Sequence, residues 1–314
     1  MLKKFLKDWM LVIAMVAGAG LYLSYRAVPV LHPAGPVLYG IVRRVQPVLL
    51  FSMLFLSFCK IEPHQMRPHR WQAWLLLVQV AAFLLTAWLS VKFPSASIPL
   101  QAAMLCLICP TATACAVVTG KLGGNMAGVV TYTVLINLVV AVVVPLVLPL
   151  VHPIEGMRFI EAFRLILSKV FPLLILPCVC AWLVRYLFPK LHARLLSYVH
   201  LSFYIWAVAL ATAILMSTRA IFHSEGGASV LGWIALSSLL SCIFQFWIGK
   251  KIGARSGCRI SAGQALGQKN TVFAIWMGYT FLDPVTSIAG GFYSIWHNVF
   301  NTWQLRRRSR EPAR

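Results

Sequence analysis

Acidic side chains are nearly missing from this chain. Of its 314 residues only seven are Asp or Glu: Asp8, Glu62, Glu155, Glu161, Glu225, Asp283 and Glu311. Each falls in an expected loop, turn or tail, so no buried carboxylate is available to hold a hard cation, which wants oxygen ligands, or to relay a proton. Charge of both signs is scarce, at 11% of residues against about 25% in soluble domains. Several catalytic signatures are missing too. There is no H-E-x-x-H for a metalloprotease, no pair of apolar-embedded aspartates, and no G-x-S-x-G that would let His200 or His297 serve a serine nucleophile. An enzyme is not expected. The eight cysteines form no cysteine–histidine ligand array. Cys106, Cys109, Cys115, Cys178, Cys180 and Cys242 lie in apolar runs and read as small hydrophobes, with no disulfide framework or zinc site implied.

What the chain does have is hydrocarbon. It is 60% hydrophobic, with a mean hydropathy of +0.81, which makes it a polytopic membrane protein. A spanning helix needs about 20 apolar residues. Ten runs qualify, near 9–25, 38–59, 71–91, 97–120, 125–151, 164–188, 195–217, 228–249, 260–282 and 286–304. The N-terminal run has the shape of a signal peptide but is read as a retained first helix. The second run is interrupted by Arg43 and Arg44, so its helix is expected to begin near Val45.

The formal charge of +21 raises the question of nucleic acid, which is not expected as a partner, because the basic residues mark membrane orientation instead. With the N-terminus in the cytoplasm, the inner loops and tails carry about 19 of them and the outer loops about six, the bias of the positive-inside rule. Both termini then lie in the cytoplasm and the lipid bilayer is a partner, with the cell (inner) membrane as expected location. The Arg306–Arg314 tail is solvated or touches anionic lipid.

The fourth and ninth runs differ from the rest. The fourth carries Cys109-Pro110-Thr111-Ala112-Thr113-Ala114-Cys115-Ala116 in mid-span, and the ninth carries Gly267-Gln268-Lys269-Asn270-Thr271. Pro and Gly break the intrahelical ladder, and the freed backbone groups then need polar partners. Gly267 follows Pro110 by 157 residues, half the chain. Five spans per half would make the halves face opposite ways, and matched interrupted helices in two inverted halves point to a transporter's binding site. Lys269 sharpens the point, since an ionisable residue at membrane depth costs roughly 2.5–3.5 kcal/mol on the insertion scale and persists mainly where it faces protein, water or substrate. The expected architecture is one all-α domain of ten transmembrane helices in two inverted five-helix repeats, 1–155 and 156–314, with discontinuous helices 4 and 9 crossing near the midplane.

At these residues the chain resembles the bile acid:sodium symporter family. Gln46-Pro47 through Phe58-Cys59-Lys60-Ile61-Glu62-Pro63 looks like the family's second helix and its turn, Cys109–Ala114 like its helix-four crossover, and Gly267–Thr271 like its helix-nine crossover. The resemblance implies a carrier of bile acids or other organic acids, and it implies sodium sites whose equivalents here are Cys115, Ala116, Val129, Thr133, Ala265 and Lys269. Ala265 stands where the family has a glutamate, Lys269 where it has a glutamine, and Cys115-Ala116 where it has serine and asparagine; Val129 replaces a serine and Thr133 matches a threonine. A lysine at the crossover would repel a bound cation.

The reading that results is a sodium-independent secondary transporter for an organic anion, a carboxylate or sulfate with a bile-acid-like apolar body, with no cofactor. Lys269 stands in for the bound cation and donates to unwound carbonyls and to neighbours such as Gln268 or Thr113. Thr111, Thr113, Gln268, Lys269, Asn270 and Thr271 are the expected substrate contacts, and half-helix N-termini favour the negative charge. A lysine that gives up its proton would couple transport to protons, whereas a permanently charged one would leave facilitated diffusion. The alternatives are a sodium- or proton-coupled symporter, or an anion channel or sensor on the same scaffold. Blander roles compete at each residue: Lys269 as a structural pin, Thr111 and Thr113 back-bonding to helix carbonyls, Gln268 and Asn270 as interhelical glue, His297 as a packing histidine, and Arg43 and Arg44 as interface anchors rather than attractors of anions.

Overall fold

A computed structural model describes residues 2–223 and 227–310. Among them the chain is helical throughout, with no strand beyond a single isolated bridge. The helices are α1 (Leu2–Ala27), α2 (Gly35–Cys59), α3 (Arg70–Lys92), α4 (Ser97–Ile108), α5 (Cys115–Lys121), α6 (Met126–Val151), α7 (Phe159–Leu187), α8 (Pro189–Ser197), α9 (Leu201–His223), α10 (Gly227–Ala254), α11 (Arg259–Gly267), α12 (Thr271–Phe281) and α13 (Ile288–Arg310). Seven stretches are long and apolar enough to cross a membrane: those holding α1, α2, α3, α6, α7, α9 and α10. Two shorter apolar helices, one ending at Ile108 and the other running from Thr271 to Phe281, belong to the interrupted segments. The chain is a multi-pass membrane protein.

Local chemistry sets the ends. Asn125 caps α6 by accepting from the Gly128 N–H at 3.0 Å. Glu161, in the first turn of α7, accepts from the Arg158 N–H and guanidinium, where a carboxylate suits the positive end of the helix. Gly123 (φ +83°) turns the chain from α5 into α6, and Gly257 (φ +67°) turns it from α10 into α11; both need a residue without a Cβ penalty.

Several sequence expectations are corrected. The second helix does not wait for Val45: α2 runs from Gly35 straight through Arg43 and Arg44, since long basic side chains can leave an apolar helix sideways for the interface. The sixth begins at Phe159 rather than near 164. The run from 195 is split, with Pro189 opening the short amphipathic α8 before α9 starts at Leu201. Asp8 and Glu161 sit within helices, not loops, although near helix ends. Glu225 and Glu311 lie outside the described residues. The final helix, α13, is not among the seven spans, because its length carries His297, Asn298, Asn301, Gln304 and a basic end.

The packing forms one continuous core with a smaller satellite. Helix α1 packs on α9, and α2 on α7 and α9. Helix α3 packs on α4 and α6, and α10 on α11, α4 and α13; α11 also touches α6, and α12 touches α13 and α9. The C-terminal ends of α4 and α11, at Ile108 and Gly267, are therefore buried.

Candidate functional site

Proline explains the first break. Pro110 supplies no N–H and disfavours a helical residue before it, and Cys109 is accordingly extended at φ −51°, ψ 136°. In the second, Gln268 (φ −93°, ψ 103°) and Asn270 (φ −75°, ψ 85°) leave the helix after Gly267. The two freed segments pair with each other. Thr111 and Lys269 form an antiparallel bridge, in which the Ala112 N–H donates to the Gln268 carbonyl at 2.9 Å and the Asn270 N–H donates to the Pro110 carbonyl at 2.8 Å. Each interruption thus satisfies backbone groups the other leaves open, as burial requires.

The remaining groups are met by side chains from neighbouring helices. Gln79 on α3 donates to the carbonyls of Ile108 (3.0 Å) and Cys109 (3.1 Å), the open end of α4, and Tyr132 on α6 holds it by donating to Gln79 Oε1 at 2.7 Å. Tyr293 on α13 donates to the Gly267 carbonyl at 2.8 Å, the open end of α11, while Gln245 on α10 donates to the Tyr293 oxygen at 3.0 Å and the Cys106 carbonyl at 3.3 Å. The Thr111 hydroxyl donates to the Ala265 carbonyl at 2.8 Å, and the Cys109 thiol donates to the Asn270 carbonyl at 2.8 Å. Asn270 Oδ1 accepts from the Phe273 N–H and caps α12. Thr271 donates to Ser294 at 3.3 Å.

Lys269 lies at the centre, 1% exposed. The expectation that its ammonium bonds to unwound carbonyls, Gln268 or Thr113 is overturned: Nζ has no hydrogen-bond partner among the described residues. The carbonyls freed at the crossing accept instead from backbone N–H groups, Gln79, Tyr293, Thr111 and the Cys109 thiol. The titratable groups close enough to act on Lys269 are three thiols, Cys109, Cys115 and Cys106, and no carboxylate. Gln268 Oε1 and Asn270 Nδ2 are likewise buried without partners. The Lys269 amine, an amide oxygen and an amide NH2 are thus held at one crossing with bonding capacity to spare, which a ligand carrying acceptors and donors could use. Thr113 is only half-buried and makes none of these bonds.

The profile of the sodium bile acid symporter family matches residues 47–224, more than half of the sequence. The chain belongs to this family. No curated protein matches it. Members of the family are transporters rather than enzymes, and this protein is accordingly of the bile-acid or organic-anion transporter type. The match takes in the first interruption and ends before α11, so the Lys269 segment lies beyond it.

The family's name brings sodium with it as cargo. At the positions that resemble its cation sites, Cys115, Val129 and Ala265 are fully buried and Ala116 is half-buried, and none brings a side-chain oxygen. Thr133 has a hydroxyl, but it is spent on the Val129 carbonyl at 2.9 Å. The Ala265 carbonyl is occupied by Thr111.

Gln79, Tyr132, Gln245 and Tyr293 are the residues that sequence reasoning passed over. A glutamine inside each of two apolar spans was the available signal, because such a group needs a bonding partner. The Cys106-x-x-Cys109 spacing was also passed over. Both thiols are free and buried, and Cys109 earns notice as a donor to the crossover. His297 is buried edge-on to Tyr293 at 5.6 Å, and its Nδ1 has no hydrogen-bond partner among the described residues.

Proposed function

We propose that this protein is a secondary transporter that moves an organic anion by alternating access, independently of sodium, with the Lys269 ammonium in place of a bound cation. The observation that carries the proposal is a fully buried Lys269 Nζ without a partner, at the bridge between two unwound segments. A buried charge is retained when something compensates it, and an anionic substrate is the complement available here, since α12 also turns its positive end toward the crossing. Thr111 and Asn270 hold the crossing in shape. Gln268, Lys269, Asn270 and Thr271 supply substrate contacts, and Thr113 flanks them.

The ten-span layout with inverted repeats at 1–155 and 156–314 is supported by packing that exchanges one half for the other. Counting α4–α5 as one span and α11–α12 as another, α3 on α4 answers to α10 on α11, α3 on α6 to α10 on α13, and α1 on α9 to α2 on α7. The clamps follow the same exchange: Gln79 with Tyr132 serves one broken helix, and Gln245 with Tyr293 serves the other. With the basic residues counted as above, both termini face the cytoplasm of a cell membrane.

The test is uptake of an organic-acid panel into liposomes, with and without sodium and pH gradients, for wild type and Lys269→Met. Saturable flux in choline medium that falls at least about tenfold in Lys269→Met is expected. Strict sodium dependence, or flux that survives the substitution, refutes the reading, and large single-channel currents would replace the carrier by a channel.

A further inference from the structure

A second place in the molecule collects positive charge. A cavity of about 480 Å³ opens between α2, α7 and α12, within the range of organic-ligand sites. Arg43 on α2 and Lys169 on α7 both line it, and neither enters an ion pair among the described residues. The rest of the wall is apolar or aromatic, with Phe51, Leu173 and Trp276 among its members, and Thr280 adds a hydroxyl.

The walls are set in place. Tyr279 donates to Gln46 Oε1 at 3.1 Å, tying α12 to α2 beside the cavity. The Lys169 ammonium sits 5.7 Å above the Phe281 ring, and that ring meets Trp276 edge-on at 5.5 Å. A cation over an aromatic face gains about 0.5–1 kcal/mol at exposed sites, enough to favour a position without neutralising the charge. Trp276 itself is buried and lines the cavity.

The location matters as much as the chemistry. Thr280 and Trp276 share α12 with Thr271, which borders Lys269. At 1.5 Å per residue, Thr280 lies roughly 14 Å along the helix from Thr271. One helix therefore carries the crossing at its first turn and this cavity near its last.

We propose that Arg43 and Lys169 form an anion-loading site, separate from the crossover, for a soluble organic acid whose carboxylate or sulfonate lies between the two cations and whose apolar body rests on Trp276 and Phe51. This deepens the transporter reading and rests on it for the fate of the acid, but the binding itself stands alone. Charge complementarity selects the acid over a neutral molecule, and a guanidinium with an ammonium from two different helices fixes its head by charge-assisted bonds.

The experiment uses the full chain in phosphatidylcholine nanodiscs in the Lys269→Met background, which removes the crossover cation. Equilibrium dialysis with naphthalene-2-sulfonate is compared with uncharged 2-naphthol. Saturable binding of the sulfonate is expected, weakened at least about tenfold by Arg43→Gln with Lys169→Gln, with 2-naphthol indifferent to that pair and Arg44→Gln without effect. The proposal is overturned if the sulfonate does not bind saturably, if the double variant binds as well as its parent, or if Arg44→Gln costs as much. Loss of sulfonate binding when phosphatidylglycerol replaces phosphatidylcholine would give the two cations to a lipid phosphate and would equally overturn a soluble acid as occupant. Failure of the transporter reading shows separately, in liposome flux, and leaves this binding intact.

Discussion

Tyr132 donates to Gln79 at 2.7 Å, and Gln79 in turn donates to both carbonyls left open at the end of α4. The pair converts a broken helix into a fixed one. Losing a partner of a buried polar group costs about 1–3 kcal/mol. Gln79→Leu is therefore expected to lower the thermal unfolding midpoint of the detergent-solubilised protein clearly, and Tyr132→Phe to lower it less, because Gln79 keeps its two carbonyls. Equal midpoints for wild type and Gln79→Leu would show that the clamp carries no stability.

Gly267 has a second duty besides ending α11. A Cβ there would run into the Phe246 ring, which is buried and tilted against Phe300 at 4.4 Å between centroids. Overpacking of this kind costs about 1–3 kcal/mol. Gly267→Ala should reduce both stability and flux, and Phe246→Leu added to it should restore a large part of each. Additive losses in the double variant would mean that the two residues do not press on each other.

The sodium question has a reciprocal test. If Lys269 replaces the ion, removing it alone should abolish flux without creating a sodium requirement, since Ala265 and Cys115 supply no ligand oxygen. Lys269→Gln is expected to be inactive in sodium and in choline alike. Lys269→Gln with Ala265→Glu, which restores an amide and a carboxylate, is expected to recover sodium-stimulated uptake. Sodium stimulation of the wild type would contradict the premise.

Orientation can be read from a single thiol. Cys258 stands half-buried in the turn between α10 and α11, and most of the other thiols are buried. With both termini inside, that turn faces the cytoplasm. A membrane-impermeant maleimide should label inside-out vesicles and spare right-side-out ones, and Cys258→Ser should remove the signal. Labelling from the outside would invert the topology.

The breaks were legible because their causes are local. Pro110 and Gly267 stop a helix wherever they occur, and Lys269 in a run of apolar residues announces itself. The seven long spans were legible from length and hydropathy, and the boundaries that moved did so where sequence carries little force: Arg43 and Arg44 read as an interruption because their side chains' ability to leave the helix sideways is invisible in a string of letters. The partners of the freed carbonyls were not legible either. Gln79 and Gln245 look alike and ordinary in sequence, and only the approach of α6 and α13 shows what they hold. The bonds of Lys269 were misjudged for the same reason, since which donor reaches a carbonyl first depends on three-dimensional neighbours.

The bridge that joins residues 110–112 to residues 268–270 has a mechanical result. Two backbone bonds and a threonine hydroxyl tie the interrupted helices into a single stiff unit, so neither can swing while its counterpart stays still. If transport proceeds by rocking, as proposed above, the movement would fall at the seams with α1, α2, α7 and α9, and cargo would pass alongside that knot rather than through it.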